Sequence, residues 1–339
     1  MKIQIRATNW IGDAVLSLPA IRAVRGRFPD AELCVLARPW VAAVYEGEQA
    51  VDRILILHGA PGVRQWGAKL RSAEELRRER FDLAIVLPNS FESALLLRLA
   101  GIPRRIGYAR DGRSILLTQA VPTPETGRIS RHQRFYYLEL LRRAGIIDEL
   151  PLVSDIRFDG VEIARRRGEE LLAARGVHLP VIGVSPGAAY GGAKRWLPER
   201  FASAAGQVAE KTGATVLVFG SEAEQKLCGE VAAACGGLNL AGQTTLRQFI
   251  DMTAACVAFL SNDSGAMHIA AALGIPSVTV FGPTDETATG PVGPGARVLR
   301  EPVECAPCLK RECPIDHRCM TRVSAEMVAA EALRVISRR

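Results

Sequence analysis

The sequence predicts two α/β domains in tandem, each built as a doubly wound parallel sheet. The chain has 339 residues, which exceeds the size at which a single hydrophobic core keeps growing. Short β-rich runs alternate with helical patterns, as expected for parallel strands joined by crossover helices. Residues 148–160 interrupt this alternation with Pro, Ser, Asp and Gly in no clear period, which indicates a linker.

The first half opens with a strand pattern at residues 2–7 and a helical pattern at 13–26. Further strand patterns occupy 32–37, 53–57 and 81–87. A helical pattern at 91–100 follows the last of these strands. Doubly wound sheets bind ligands at the carboxyl ends of their strands, and two such domains would face each other across a cleft. Functional residues are therefore expected in the loops that follow strands.

The second half repeats the alternation. Its strand patterns occupy 181–185, 214–219, 257–261 and 277–281, and each but the last is followed by a helical pattern. A final helix is expected at 324–337, with Ser324 as its N-cap and Glu326 in its first turn. These patterns predict a first domain at 1–155, a second at 160–323 and a C-terminal helix at 324–339.

The composition is that of a globular chain. The hydrophobic fraction of 48% and the charged fraction of 23% are average for globular domains. Arg6 and Asn9 interrupt the apolar residues near the N-terminus, so neither a signal peptide nor a membrane span is expected there. We therefore expect a cytoplasmic protein.

The excess positive charge lies entirely in the first half. The net charge is +7, and residues 1–150 carry 23 Lys and Arg against 16 Asp and Glu, whereas the remainder has 20 of each. Either solvated Arg-rich helix faces such as residues 74–80 account for the excess, or the first domain binds an anionic partner. No basic run is interleaved with aromatic residues, which argues against nucleic acid and favours an acidic substrate or lipid. Candidate contacts in or beside loops are Arg64, Lys69, Arg113 and Arg131.

The loop that follows residues 181–185 is glycine-rich and basic. Neither half carries a GxGxxG or GxxxxGK[ST] motif, so a dehydrogenase and a P-loop kinase are disfavoured. Instead, Ser185 ends the strand, Gly187 lets backbone amides approach a ligand, and Lys194 offers a charge to a phosphate. A mobile surface loop with a solvated lysine is the alternative interpretation.

Polar residues crowd a helix start after the strand at 257–261. Free amides and the helix dipole at Asp263, Ser264 and Gly265 favour an anion such as a diphosphate. His268 shares a helix face with Ser264 and is either a packed histidine or a ligand contact. One strand earlier, Glu224 matches a capping box, which alone explains it, although its carboxylate could also accept hydrogen bonds from ribose.

Gly12 and Asp13 lie in the turn between the first strand and the first helix. A carboxylate at the carboxyl end of a central strand could act as general base for an incoming hydroxyl. Asp13 could equally cap the helix. The sequence leaves both interpretations open.

Four cysteines occur within fifteen residues, at Cys305, Cys308, Cys313 and Cys319, with His317 among them. Disulfides are disfavoured in a reducing compartment, and the spacing is compatible with a tetrahedral structural zinc site. It does not match a standard zinc finger, and reduced thiols that pack a loop are the alternative.

Several of these segments resemble the ADP-heptose:lipopolysaccharide heptosyltransferase family, and most closely the members that add the second heptose. The matching segments span nearly the whole chain in the family's order, at residues 11–19, 194–198, 220–224, 262–268 and 281–285. The resemblance implies the GT-B fold, with the acceptor on the first Rossmann-like domain and the nucleotide sugar on the second. It also implies transfer of L-glycero-D-manno-heptose from ADP-heptose to the inner core of lipopolysaccharide, with inversion at the anomeric carbon.

The resemblance further implies roles for individual residues. Asp13 corresponds to the family's base, Lys194 to its phosphate-binding lysine and Glu224 to its ribose-binding glutamate. The diphosphate segment corresponds to Asp263, Ser264, Gly265 and His268. The implied partners are ADP-heptose and an anionic heptosyl-Kdo2-lipid A acceptor, with peripheral contact at the inner membrane, and no metal is required for departure of ADP.

Other functions are compatible with the same patterns. Within the family, the chain could add the first heptose or use another nucleotide sugar. A nucleotide-sugar epimerase shares the two-domain architecture but needs no acceptor, which would leave the basic first half unexplained. A sugar-binding protein would bind the ADP-sugar without turnover.

Overall fold

A computed structural model describes residues 1–59, 66–125, 127 and 130–338. The chain divides into two compact units, Met1–Val153 and Ser154–Arg339. Within the described residues, each unit contains one parallel six-stranded sheet with helices between successive strands. The predicted fold class, two doubly wound α/β sheets, is confirmed.

The first sheet follows the strand order β3-β2-β1-β4-β5-β6, with every neighbouring pair parallel. Its strands are β1 (Lys2–Arg6), β2 (Glu32–Ala37), β3 (Arg53–Ile56), β4 (Leu83–Val86), β5 (Arg104–Tyr108) and β6 (Gln119–Val121). The described helices of this unit are α1 (Ile11–Leu16), α2 (Leu18–Arg27), α3 (Pro39–Ala42), α4 (Trp66–Glu79), α5 (Phe91–Leu99) and α6 (Gln133–Arg143).

The single helix predicted at 13–26 is in fact two helices, α1 and α2. Ser17 ends the first and precedes the second, and its hydroxyl donates to the carbonyl of Ala14. Pro19 explains the break, because proline has no N–H for an intrahelical bond and is tolerated only in the first turn of a helix.

The second sheet follows the order β12-β11-β10-β7-β8-β9, which is the same winding as in the first sheet read from the other edge. Its strands are β7 (Val181–Ser185), β8 (Thr215–Val218), β9 (Leu238–Asn239), β10 (Ala258–Asn262), β11 (Ser277–Val280) and β12 (Ala296–Leu299). The helices are α7 (Val161–Ala173), α8 (Pro198–Thr212), α9 (Gln225–Cys235), α10 (Leu246–Ala254), α11 (Gly265–Ala272), α12 (Glu286–Thr289), α13 (Arg318–Thr321) and α14 (Ala325–Ile336).

The final helix α14 is part of the core of the second unit. Ser324 is its N-cap, as predicted, and its side chain accepts a hydrogen bond from the N–H of Met327. The buried side chains Val328, Ala332 and Val335 join the cluster that covers one face of the sheet. These side chains stabilise the second unit, because their burial against the sheet removes apolar surface from water.

Each sheet reverses its winding direction at one point, between β1 and β4 in the first unit and between β7 and β10 in the second. Loops at the carboxyl ends of the two strands diverge there and leave a crevice suited to a ligand. The turn before Asp13 follows β1, and the polar segments at 185–196 and 262–268 follow β7 and β10. In the described part of the chain, no helix combines the length and apolar character that a membrane span requires.

Candidate functional site

Asn262 links the two loops at the crevice of the second unit. It ends β10, is fully buried, and its Nδ2 donates to the carbonyl of Pro186 at 2.7 Å. Its Oδ1 accepts from the backbone N–H of Trp196 at 2.9 Å. One side chain thus holds both ends of the loop between β7 and α8, so this loop is fixed at both ends. Ser185, at the end of β7, is also buried.

Gly187 and Glu224 lie against each other at this crevice. A Cβ atom at position 187 would lie 2.0 Å from Oε1 of Glu224. Glu224 also forms the predicted capping box, since its Oε2 accepts from the backbone N–H and the hydroxyl of Ser221 at 2.9 and 2.8 Å. The capping interaction therefore uses Oε2 and leaves Oε1 beside the glycine-rich loop.

Gly187→Ala is expected to weaken ADP binding by about ten-fold or more, since a displaced Glu224 carboxylate could no longer accept from ribose and a hydrogen bond to a charged group contributes about 1.5–3 kcal/mol. The new methyl group would displace the Glu224 carboxylate, which Ser221 restrains. Calorimetric titration with ADP measures the effect. Gly206→Ala is the matched control, because a Cβ atom there meets nothing within 4 Å. Unchanged ADP affinity in Gly187→Ala would contradict this role for the close approach.

Lys194 forms a short ion pair with a buried carboxylate. Its Nζ lies 2.6 Å from Oδ2 of Asp263, and Thr284 donates its hydroxyl to the same oxygen at 2.5 Å. The ammonium also lies 4.8 Å from the ring centroid of Tyr190. The lysine is thus not a solvated surface charge, which was the alternative interpretation, but is held beside the start of α11.

The N-terminus of α11 lies next to this ion pair. Ser264 is the N-cap residue, but its side chain makes no capping bond, and its buried Oγ has no hydrogen-bond partner among the described residues. Gly265 is the first helical residue, and His268 is buried one turn later. An unused hydroxyl and the free amides of a helix start are suited to an anion.

Residues 309–317 support the glycine-rich loop from the outside. Backbone and side-chain bonds join the two segments: Tyr190 Oη to Leu309 O at 2.9 Å, Gly192 N to Glu312 Oε1 at 2.9 Å, Ala193 N to Arg311 O at 2.8 Å, and His317 Nε2 with Ala193 O at 2.8 Å. The backbone at positions 191 and 192 also packs too closely on Arg311 and Glu312 to admit a Cβ atom. The loop conformation is therefore set largely by this later segment.

The four clustered cysteines line one pocket of about 230 Å³, together with His317 and Ala193. All four are free thiols, and burial raises the pKa of Cys319, with a further contribution from the other three. Within the described ranges, no three His, Cys, Asp or Glu side chains are arranged to hold a metal ion. The cysteines are brought together as the spacing suggested, while the zinc site stays a prediction.

Asp13 lies in the first turn of α1, next to Gly12. The N-cap of this helix is Trp10, and no side chain caps it, so the carboxylate does not serve as the cap. Instead, its Oδ1 accepts a hydrogen bond from the hydroxyl of Tyr137 at 3.1 Å. Burial raises the pKa of Asp13, and the bond from Tyr137 partly opposes this rise.

The basic residues selected as acceptor contacts differ in their surroundings. Arg64 lies outside the described residues, and Arg131 is exposed. Lys69 is buried and forms an ion pair with Glu92 at 3.2 Å. Arg113 is fully buried and donates to the carbonyls of Tyr108 and Pro88 and to Asn89. Lys69 and Arg113 are therefore not supported as contacts with an anionic acceptor: Lys69 lies within α4, not in or beside a loop, and the guanidinium of Arg113 is used as a donor to the surrounding backbone.

Sequence reasoning assigned no role to several residues of these crevices. Asn262 and Thr284 lie in the matching segments 262–268 and 281–285, and a polar side chain at or just after the end of a strand could have marked them as site residues. Nothing in the sequence indicated that residues 309–317 contact the glycine-rich loop, since Gly192 and Glu312 lie 120 residues apart. Nothing indicated the contact of Tyr137 with Asp13 either, since these residues lie 124 residues apart.

Comparisons with known proteins identify the family to which the chain belongs. A family model described as glycosyltransferase family 9 (heptosyltransferase) matches residues 69–318. The chain is 33% identical over 313 residues to lipopolysaccharide heptosyltransferase 2 of Salmonella typhimurium, covering 88% of each chain. The structure of Escherichia coli ADP-heptose LPS heptosyltransferase II superposes with a TM-score of 0.83 and 28% identity, covering 100% of this chain and 99% of the other. Escherichia coli heptosyltransferase WaaC with ADP has the same fold, with a TM-score of 0.74 at 18% identity over 99% of this chain and 100% of that one. The chain is a glycosyltransferase of the GT-B fold and belongs to glycosyltransferase family 9, the heptosyltransferases.

Proposed function

We propose that this glycosyltransferase transfers L-glycero-D-manno-heptose from ADP-heptose to the heptosyl-Kdo2-lipid A inner core of lipopolysaccharide, and so adds the second heptose. The single observation that carries the donor assignment is the pairing of Lys194 with Asp263 beside the unused hydroxyl of Ser264 at the start of α11. The choice of heptose and acceptor is supported by the relatives that are named lipopolysaccharide heptosyltransferase 2.

In this proposal, the second unit holds the donor. The diphosphate accepts hydrogen bonds from the N-terminal amides of α11 and from the Ser264 hydroxyl, with the ammonium of Lys194 as counter-charge. Gly265 lets the backbone approach the phosphates, and His268 lies one turn along the same helix face. Oε1 of Glu224 accepts from a ribose hydroxyl, since Oε2 is engaged by Ser221.

The first unit supplies the base. The acceptor hydroxyl attacks the anomeric carbon as the bond from that carbon to the diphosphate oxygen breaks, and its proton passes to the carboxylate of Asp13. One displacement of this kind inverts the anomeric configuration. The negative charge that grows on ADP is stabilised by Lys194 and the start of α11, which act as donors already in place.

The acceptor in this proposal is a lipid that bears phosphates and Kdo carboxylates. The surplus of +7 charge in residues 1–150 supports an anionic acceptor over a neutral one. Because the acceptor is membrane-bound, we place the reaction at the cytoplasmic face of the inner membrane, with peripheral contact and no nucleic-acid partner.

Mass spectrometry of the acceptor after incubation with ADP-heptose and enzyme tests the proposal. We expect the mass of heptosyl-Kdo2-lipid A to rise by one heptosyl residue, with ADP released only when acceptor is present. Preferential modification of Kdo2-lipid A would instead identify an enzyme that adds the first heptose. ADP release without any acceptor would contradict the transferase proposal altogether.

Raising the salt concentration is expected to increase the apparent KM for the lipid acceptor more than the KM for ADP-heptose. Attraction between exposed charges is screened over about 8–10 Å at ordinary ionic strength, whereas the partly buried Lys194 is shielded from salt. Initial rates at several salt concentrations measure this, with the exposed Arg131→Gln variant showing a flatter response. If the acceptor KM does not change with salt concentration, the excess positive charge of residues 1–150 is only a solvated surface.

The four thiols of the cysteine segment line one pocket, but no three of the described side chains are arranged to hold a metal ion, so the structural zinc ion stays a sequence-based prediction with reduced, loop-packing thiols as its alternative. Thiolate ligands suit zinc, and a closed site would stabilise a segment with little secondary structure. Elemental analysis of protein purified without chelators distinguishes bound zinc from reduced thiols that only pack the loop.

A further inference from the structure

Tyr137 contacts the carboxylate of Asp13 from a distant helix. Its hydroxyl, on α6, donates to Oδ1 of Asp13 at 3.1 Å, and its side chain is buried. Gln133, one turn earlier on α6, donates its Nε2 to the same hydroxyl at 3.2 Å. Because the tyrosine oxygen accepts from Gln133, its own proton is directed to Asp13.

We propose that Tyr137 is a positioning residue that holds Asp13 through Oδ1 and leaves Oδ2 to take the proton of the acceptor hydroxyl. The proposal rests on the proposed function, in which Asp13 is the base. Oδ1 bears the bond from Tyr137, whereas Oδ2 accepts no hydrogen bond from the described residues. The two carboxylate oxygens are thereby made different, one for orientation and one for chemistry.

The position of Tyr137 is itself well fixed. Its ring contacts that of Tyr136 edge-on, with centroids 5.8 Å apart, and α6 packs against both α1 and α2. Burial raises the pKa of Tyr137 well above its usual value, so the hydroxyl keeps its proton and remains a donor over the working pH range. An Asp side chain without this bond would rotate more freely, and misalignment of a base lowers the rate of proton transfer.

The bond from Tyr137 also affects the pH at which Asp13 ionises. Burial raises the pKa of Asp13, and the hydrogen bond from Tyr137 lowers it by stabilising the carboxylate. The other ionisable groups around α1 have partners of their own or are held neutral. These are Arg6 with Asn9, Arg22 with Glu48, Arg25 with Asp52, Arg27 over Phe28, Arg134 over Phe135, Glu139 with Arg142 and Arg143, Tyr136 with Asn89, and Tyr45, whose pKa burial raises to about 12.

The test compares Tyr137→Phe with Tyr136→Phe in the full-length enzyme. Tyr136→Phe is the matched control, since it removes a neighbouring hydroxyl that bonds to Asn89 and not to Asp13. We expect Tyr137→Phe to lower kcat about ten-fold at neutral pH, since a hydrogen bond to a charged group is lost. The KM for ADP-heptose should stay unchanged, and the acid limb of the pH profile of kcat should move to higher pH because Asp13 loses a stabilising donor.

A second variant keeps the test informative if Tyr137→Phe is unstable. Gln133→Met removes the bond that orients the tyrosine hydroxyl and should shift the acid limb in the same direction by a smaller amount. An unshifted acid limb in stable Tyr137→Phe enzyme would overturn the positioning role. Failure of the underlying function is separable, because Asp13→Asn would then retain wild-type turnover whatever Tyr137 does.

Discussion

Asp13→Asn is expected to lower turnover by at least about 10²-fold while ADP-heptose affinity stays unchanged, since general base catalysis contributes about 10² to 10⁴. Asparagine has the shape of aspartate but cannot accept the acceptor proton. It can still accept the hydrogen bond from Tyr137 through its amide oxygen, so the local structure should persist. Steady-state kinetics and titration with ADP-heptose measure the two quantities.

The pH profile gives an independent check of the same role. The base must be ionised to act, so the rate falls as the pH drops through the pKa of Asp13, which burial raises above the usual range. The exposed turn residue Asp30 provides a control, since Asp30→Asn should leave both rate and profile unchanged. Wild-type turnover in Asp13→Asn would return this residue to a purely structural role.

Lys194→Ala is expected to weaken binding of ADP and ADP-heptose by roughly 10- to 100-fold, because charge-assisted hydrogen bonds contribute about 1.5–3 kcal/mol. Adenosine has no phosphate, so its affinity should change little. Lys211→Ala is the control, since this lysine is exposed on α8 of the same unit. Calorimetric titration with the three ligands measures the difference, and equal losses for adenosine would mean that Lys194 supports the fold instead.

The ion pair with Asp263 requires one further variant. Removing Lys194 leaves the buried Asp263 carboxylate with the Thr284 hydroxyl as its remaining donor among the described residues, and an uncompensated buried charge is destabilising. Lys194→Ala combined with Asp263→Asn removes both charges. The double variant should recover thermal stability without recovering ADP affinity, which separates the structural share of the ion pair from its share in phosphate binding.

Some interior strands were predictable because they form short, continuous apolar runs. β7 is a fully buried run and β2 is buried except for Glu32; both are rich in Val, Leu and Ile, and their predicted bounds match the structure. Four strands were not identified: β6 and β9 are only three and two residues long, β5 begins with two arginines, and β12 is only half-buried. A weak pattern of this kind does not stand out from a loop.

The candidate site was predictable as a set of residues but not as a set of contacts. Strand ends and helix starts identified Lys194, Asp263 and Ser264, because parallel topology brings these positions to one edge. The sequence could not reveal that Lys194 is paired with Asp263, because this contact depends on the conformation of the loop after β7. Nor could it reveal that Asp13 is bonded to Tyr137, because this contact depends on how α6 packs against α1. For the same reason, cysteine spacing alone could not decide whether four sulfur atoms converge on one point.

The supports of the glycine-rich loop have a consequence for the order in which the protein is made. The loop and β7 leave the ribosome well before residues 309–317, and Gly192 is separated from its partner Glu312 by 120 residues. Until that segment emerges, the amides of the loop are bonded to water, and the sheet also lacks its cover from α14. Domains fold as units during synthesis, from the N-terminus onward. A nascent chain can therefore complete its first unit early, whereas the proposed donor site of the second unit is completed only after residues 309–317 have emerged.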